Sequence, residues 1–277
     1  MKRFRLHIFL FFLVSNLGFS QDIEKEVFDY YTKVSNPVVI NRPSGSHGIV
    51  VLHNILSEAV NEKLEELDGK TSQQYDISAN DHTYRGQNIF GAADGKSKDI
   101  VLITVPVDQK YQEVYDNSLS IAIVKGLMKE LSEDKSKFTY IFLFADGSMY
   151  NDSGYEYFLK NGDLDFERVK FHIAIKAATI DPTIKNHILA TYNHPGIEPY
   201  LPGSAMTLLF DGSSIVNEIT GKPLPNFQVY PMLQSRSEEG VKNMIGIAYP
   251  LIKNIIDEID GEKKALEVDE SMLASSN

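Results

Sequence analysis

With no cysteine in the chain, thiolate nucleophiles, thiolate metal sites and disulfides are excluded, so any chemistry must come from histidines, carboxylates and hydroxyls. Past residue 20 the histidines are His47, His53, His82, His172, His187 and His194, and no two are spaced as H-x-x-x-H on one helix face. His172 sits inside the apolar run FHIAIKA and reads as a satisfied core residue. His82 and His194 fall in predicted loops and, with Asp108 and Asp116, are the donors from which a metal centre would have to be built. Asp116 precedes Asn117 and Ser118 at a predicted helix start, where it is either a binding carboxylate or an N-cap, with capping favoured. Ser148 follows a predicted strand, but Asp146-Gly147-Ser148-Met149-Tyr150 lacks the G-x-S-x-G elbow and no histidine is placed to activate it. It reads as a turn serine, and a serine hydrolase is the most distant enzymatic reading.

The elements that would position these residues alternate between helix and strand. Residues 22–34 and 46–67 have helical apolar spacing, the second with Ile49, Leu52, Leu56, Val60 and Leu64 on one side. Residues 87–91 form a short predicted strand ending at a turn over 92–98, followed by the apolar run DIVLITVPV over 99–107. A helix over 118–131, a strand over 138–144, a short helix over 155–160, a strand over 171–177 and a terminal helix over 241–259 complete the pattern. Apolar strands alternating with helices predict an α/β fold: a three-layer sandwich in which helices cover both faces of a mixed, mostly parallel sheet. Ligands of such sheets sit beyond the carboxyl ends of the strands, which directs attention to the residues just after Val105, Phe144 and Ile175. The loop over 192–203, YNHPGIEPYLPG, is as consistent with a cleft rim carrying His194 and Tyr200 as with a plain loop.

The 277 residues suit one α/β domain, and 43% hydrophobic with 23% charged residues is ordinary globular usage. Residues 1–20 read as a signal peptide, with Lys2, Arg3 and Arg5 before an apolar run too short to span a bilayer and a small-residue exit at Ser20. Cleavage there removes three positive charges and no acid, taking the net charge from −11 to −14. A surface this acidic argues against nucleic acid or anionic lipid as a partner. The expected organisation is a single domain over 21–277 with about 15 flexible residues at its end, secreted or periplasmic, with no membrane span once the signal is removed.

Short segments at the three strand ends carry a resemblance. They are Arg85-Gly86-Gln87-Asn88-Ile89-Phe90-Gly91, IVLITVPVD ending at Asp108, Tyr115-Asp116-Asn117, TYIFLFADGSM, Gly154-Tyr155-Glu156-Tyr157-Phe158, and FHIAIKA. In order and spacing they resemble the secreted di-zinc aminopeptidases, which share a fold with glutaminyl cyclase and the nicastrin ectodomain. The counterparts there are RNVIG, G-A-H-x-D, D-D-N, F-F-D-A-E-E, G-S-x-Y-F and a strand ending L-D. The similarity runs from about Ser44 to Ile259.

The resemblance implies a metal site whose residues this chain has largely replaced. The family's first histidine falls at Pro106, its bridging Asp at Asp116, its catalytic Glu at Ser148, its ligand Glu at Met149 and its strand-end Asp at Lys176. No histidine stands near 234–238, where the late ligand belongs, and the Asp that orients the family's first histidine survives as Asp108. One of five ligands thus remains and the base is gone, whereas zinc needs three or four protein ligands. Lys176 adds a positive charge where metal would sit and suggests an ion pair with Asp116 in place of the lost cations.

The resemblance therefore implies a non-catalytic binding or assembly module without cofactor. Its partner would be a protein or peptide of unknown identity, and Tyr115, His194 and Tyr200 are candidates for the cleft wall. The alternative is an active zinc exopeptidase, of aminopeptidase or glutaminyl cyclase type, with ligands relocated to His82, His194, Asp108 and Asp116.

Overall fold

A computed structural model describes residues 22–79, 81–109, 117–133, 136–162, 164–176, 206–216, 223–231 and 237–261. Tyr115, Asp116, His194 and Tyr200, the signal segment and the final tail lie outside the described residues.

Helix α1 covers 22–34, followed by α2 (His47–Lys63) and the hairpin β1 (Ser72–Ala79) and β2 (His82–Ala93). Then come β3 (Ile100–Pro106), α3 (Asn117–Glu133), β4 (Thr139–Ala145), α4 (Ser153–Asn161), β5 (Val169–Ile175), β6 (Met206–Val216), β7 (Pro223–Pro231) and α5 (Glu238–Ile259). The strands form one sheet in the order β1-β2-β4-β3-β5-β7-β6. β3 pairs in parallel with β4 and β5, and β5 with β7, while β1–β2, β2–β4 and β6–β7 are antiparallel. Five of the seven strands therefore share one direction, with β2 and β6 reversed.

Alternation along the strands divides the core. Val101, Ile103, Val105, Phe142, Phe144, Ile173 and Ile175 pack under α1, α2, α3 and α5 through side chains such as Val27, Leu52, Leu119 and Ile252. The intervening residues Leu102, Ile141, Leu143 and Val169 face Phe158 and Tyr155 of α4. Both faces of β3 and β4 are thus dry, which explains their unbroken apolar runs.

Local chemistry sets the ends. Ser46 caps α2, its hydroxyl accepting from Ile49 N at 3.3 Å. The helix stops at Lys63 instead of running on to Leu67, because Leu64 turns extended and Glu65 bridges to Ala92. The expected turn after residue 91 is likewise displaced: β2 continues to Ala93 and begins as early as His82, which belongs to a strand and not to a loop. Strands β1, β6 and β7 have no counterpart in the sequence reading.

Candidate functional site

Strands β3, β4 and β5 end side by side, Pro106 in register with Ala145, and their exits carry Asp108, the segment 146–152 and Lys176. The β1–β2 hairpin rises beside them. Ile89 pairs with Phe144, so the first half of β2 overshoots the end of β4 and walls the edge.

Two acids organise this edge, and both are fully buried. The Asp108 carboxylate accepts from Ser148 N at 2.8 Å and from Met149 N at 3.1 Å, so it fixes the backbone of the next strand's exit loop. Asp146 accepts from Ser44 Oγ at 2.5 Å and Gly147 N at 2.7 Å through Oδ1, and from Gln87 N at 3.4 Å through Oδ2. Gly147 can make this turn because its φ is +74°, in the left-handed region. Burial pushes the Asp108 carboxyl up from its usual range, against the hydrogen bonds from Ser148 and Met149. Burial, with the nearby Asp108 charge, raises Asp146 to about 6.

A shell of neutral groups supports the acids. The Asp146 carbonyl accepts from Tyr75 Oη at 2.9 Å and Gly154 N at 3.1 Å, and Asn88 Nδ2 donates to Gly154 O at 2.7 Å. His53 Nε2 stands 3.7 Å from Asp146 Oδ2, beyond hydrogen-bond length, and has no hydrogen-bond partner among the described residues. Burial lowers His53 to about 4, so the imidazole is neutral at pH 7 and the contact is not an ion pair there.

At the exit of β3, the buried Arg42 donates through Nε to Val107 O at 2.6 Å and through both terminal nitrogens to Ser118 Oγ at 3.2 Å, tying this exit to the start of α3. Gln109 continues the tie, accepting from Asn117 N at 3.0 Å and donating to Ile40 O at 2.9 Å. Ser44, Asn88, Tyr75, His53 and Arg42 are the residues that sequence reasoning missed as builders of this edge. Apart from the local bonds of Arg42 to Val34 O and Val39 O, their contacts span 13 to 102 positions in sequence, beyond any local motif.

The sequence-predicted residues divide accordingly. Pro106, Ser148 and Met149 are half-buried at the edge. Lys176 pairs with Asp152 at 3.6 Å, and its expected partner Asp116 lies outside the described residues. His82 is exposed at the hairpin end, away from the acids' hydrogen-bond networks. His172 is in the core, its Nε2 2.9 Å from Thr104 Oγ1 and its ring stacked on Tyr155.

A di-zinc centre does not fit the described donors. Pro106 has no donor, Met149 offers only a thioether, Lys176 is a cation, and both Asp108 oxygens are committed to backbone amides. Among the described residues, no three His, Cys, Asp or Glu side chains come together to hold a metal ion.

No family model and no curated protein matches the chain. Solved structures do. A glutaminyl cyclase from an Acidobacteriales bacterium superposes with a TM-score of 0.57 at 11% identity, covering 87% of this chain and 95% of that one. A putative zinc-dependent exopeptidase from Bacteroides vulgatus gives 0.53 at 12%, covering 82% and 94%. Against a Bacteroides thetaiotaomicron glutaminyl cyclase bound to N-acetylhistamine the TM-score is 0.44 at 12% identity, and the match spans 55% of this chain and 61% of that one. With the seven-stranded mixed sheet and the helices on both its faces, the first two likenesses give this chain a zinc-exopeptidase-like α/β fold.

Proposed function

We propose that the protein is a non-catalytic binding or assembly module that keeps the exopeptidase scaffold without its zinc chemistry, and that it is exported through residues 1–20. The observation that carries the reading is the donor set at the strand ends, where Pro106, Met149 and Lys176 offer neither a carboxylate nor an imidazole to a metal ion. Asp108 beside them is buried with its oxygens bonded to Ser148 N and Met149 N. The likeness to a glutaminyl cyclase and a putative zinc-dependent exopeptidase supports a peptide or protein segment as the ligand of the retained edge. Absence of any helix long and apolar enough to cross a membrane, among the described residues, is compatible with an exported module.

The test is direct. Protein purified without chelator is assayed for zinc by mass spectrometry, and for aminoacyl-chromogen hydrolysis and glutaminyl cyclisation with and without added zinc. The reading expects no stoichiometric metal and no turnover. Chelator-sensitive turnover in either assay would instead establish an active enzyme with relocated ligands.

A further inference from the structure

Aromatic rings run in a row along the wall that the β1–β2 hairpin raises beside the carboxyl edge. The His82 and Tyr84 centroids are 6.3 Å apart, and Tyr84 stacks on Tyr150 at 5.8 Å with 26° between the planes. His82 is exposed, and Tyr84 and Tyr150 are partly so. Tyr84 is held from a second side by Gly45, where a Cβ would come within 2.8 Å of its ring. It is therefore a fixed support, and Tyr150 is the ring it backs.

Carboxylates stand close to this ring. Asp108 and Asp146 lie close enough to add, after burial and the Tyr84 hydroxyl, to the upward push on the Tyr150 hydroxyl. Asp152 follows two residues later, paired with Lys176 at 3.6 Å. Among the charges described at this edge, Asp108, Asp146 and Asp152 stand against the Lys176 ammonium and the buried Arg42 guanidinium, whose donors are taken up by Val107 O and Ser118 Oγ, in a chain of net charge −11. Asp108 and Asp146 are too deeply buried to pair with a ligand, so their field acts through the ring in front of them. An aromatic face backed by negative charge attracts cations. A guanidinium suits it better than an ammonium, because it is planar, weakly hydrated and stacks on rings.

We propose that Tyr150, backed by Tyr84, is a seat for the guanidinium of an arginine side chain in a peptide or protein partner. This goes beyond binding of a peptide end, since an internal arginine satisfies it.

The probe is acetyl-Gly-Arg-Gly-amide, capped at both ends, titrated against the full chain by NMR beside the same peptide carrying citrulline, which has the shape without the charge. The arginine peptide is expected to bind about tenfold more tightly at low salt, with the advantage shrinking at about 1 M salt as the Debye length contracts to about 3 Å. Tyr150→Leu should abolish that advantage and Tyr150→Phe should keep most of it. Equal binding of the two peptides, no binding of either, or a Tyr150→Leu variant that still prefers arginine overturns the proposal. The wild-type comparison decides alone if the leucine variant does not fold. Because the probe tests the arginine seat alone, its failure leaves the proposed binding of a peptide or protein segment at this edge standing.

Discussion

Replacing Asp146 with Asn should change the pH dependence of stability in a direction fixed by burial. The carboxyl is fully buried and is raised from 3.8 to about 6, chiefly by desolvation. A group whose native pKa lies above its unfolded value contributes stability that is fully present below the unfolded pKa and is lost as pH rises through the native one. With these two values, the contribution of Asp146 at pH 5 exceeds that at pH 7.5 by about 1.4 kcal/mol. Asp146→Asn has no such term, so the stability difference between wild type and variant should narrow by about 1.4 kcal/mol as pH goes from 5 to 7.5. His53 is present in both proteins, so its own titration cancels in the difference to first order. The assay is urea unfolding followed by far-ultraviolet circular dichroism at pH 5, 6 and 7.5. A difference that widens with pH would refute the reasoning, because it would mean a native pKa below 3.8, as in a true ion pair with a protonated His53.

Three smaller predictions concern the same scaffold. A Cβ on Gly154 would fall 2.1 Å from the Asp146 carbonyl and 2.3 Å from Tyr75 Oη, so Gly154→Ala should destabilise by about 1–3 kcal/mol in urea unfolding. Lys176→Met should shift stability by less than about 1 kcal/mol, since the Lys176 and Asp152 side chains are 38% and 49% exposed; a larger loss would reveal a second, stronger partner for the ammonium. Ser46→Ala should cost about 1 kcal/mol through loss of the cap on α2, with Ser46→Gly costing only a few tenths.

How much of this was legible in the sequence depends on the range of the interaction that decides it. The apolar runs of β3, β4 and β5 announce themselves because both faces of each strand are covered. Strand β1, SQQYDISA, does not: it is an edge strand with only Tyr75 and Ile77 turned to the core, and its polar residues read equally well as loop. The end of α2 was misplaced because Leu64 continues the helical apolar pattern, yet it serves by packing against Gly91, where a Cβ would sit 2.7 Å from its own. At the edge, the sequence pattern directs attention to the residues following β3, β4 and β5, where the structure places Asp108, the segment 146–152 and Lys176 side by side. The role of Asp146 could not be read from that pattern, since it depends on Ser44, which lies 102 residues away.

Under the proposed reading, the two acids also bear on how a scaffold of this kind would keep its shape without metal ions. In a metal site, carboxylates at strand ends are held in place partly by the ions they bind, so losing the other ligands would leave like charges facing one another without compensation. Here Asp108 and Asp146 are compensated from the backbone. Ser148 N, Met149 N, Gly147 N and Gln87 N all point at the two carboxylates, and Ser44 adds a hydroxyl. Charge-assisted bonds of this type are worth more than neutral ones and demand a fixed loop. The loop 146–152 meets that demand at a conformational cost, holding Asn151 at φ 57° and Asp152 at φ 52°, both in the left-handed region. An edge stabilised in this way holds its two acids through backbone and hydroxyl donors, which under the proposed reading would leave neighbouring positions such as Pro106, Met149 and Lys176 free to vary.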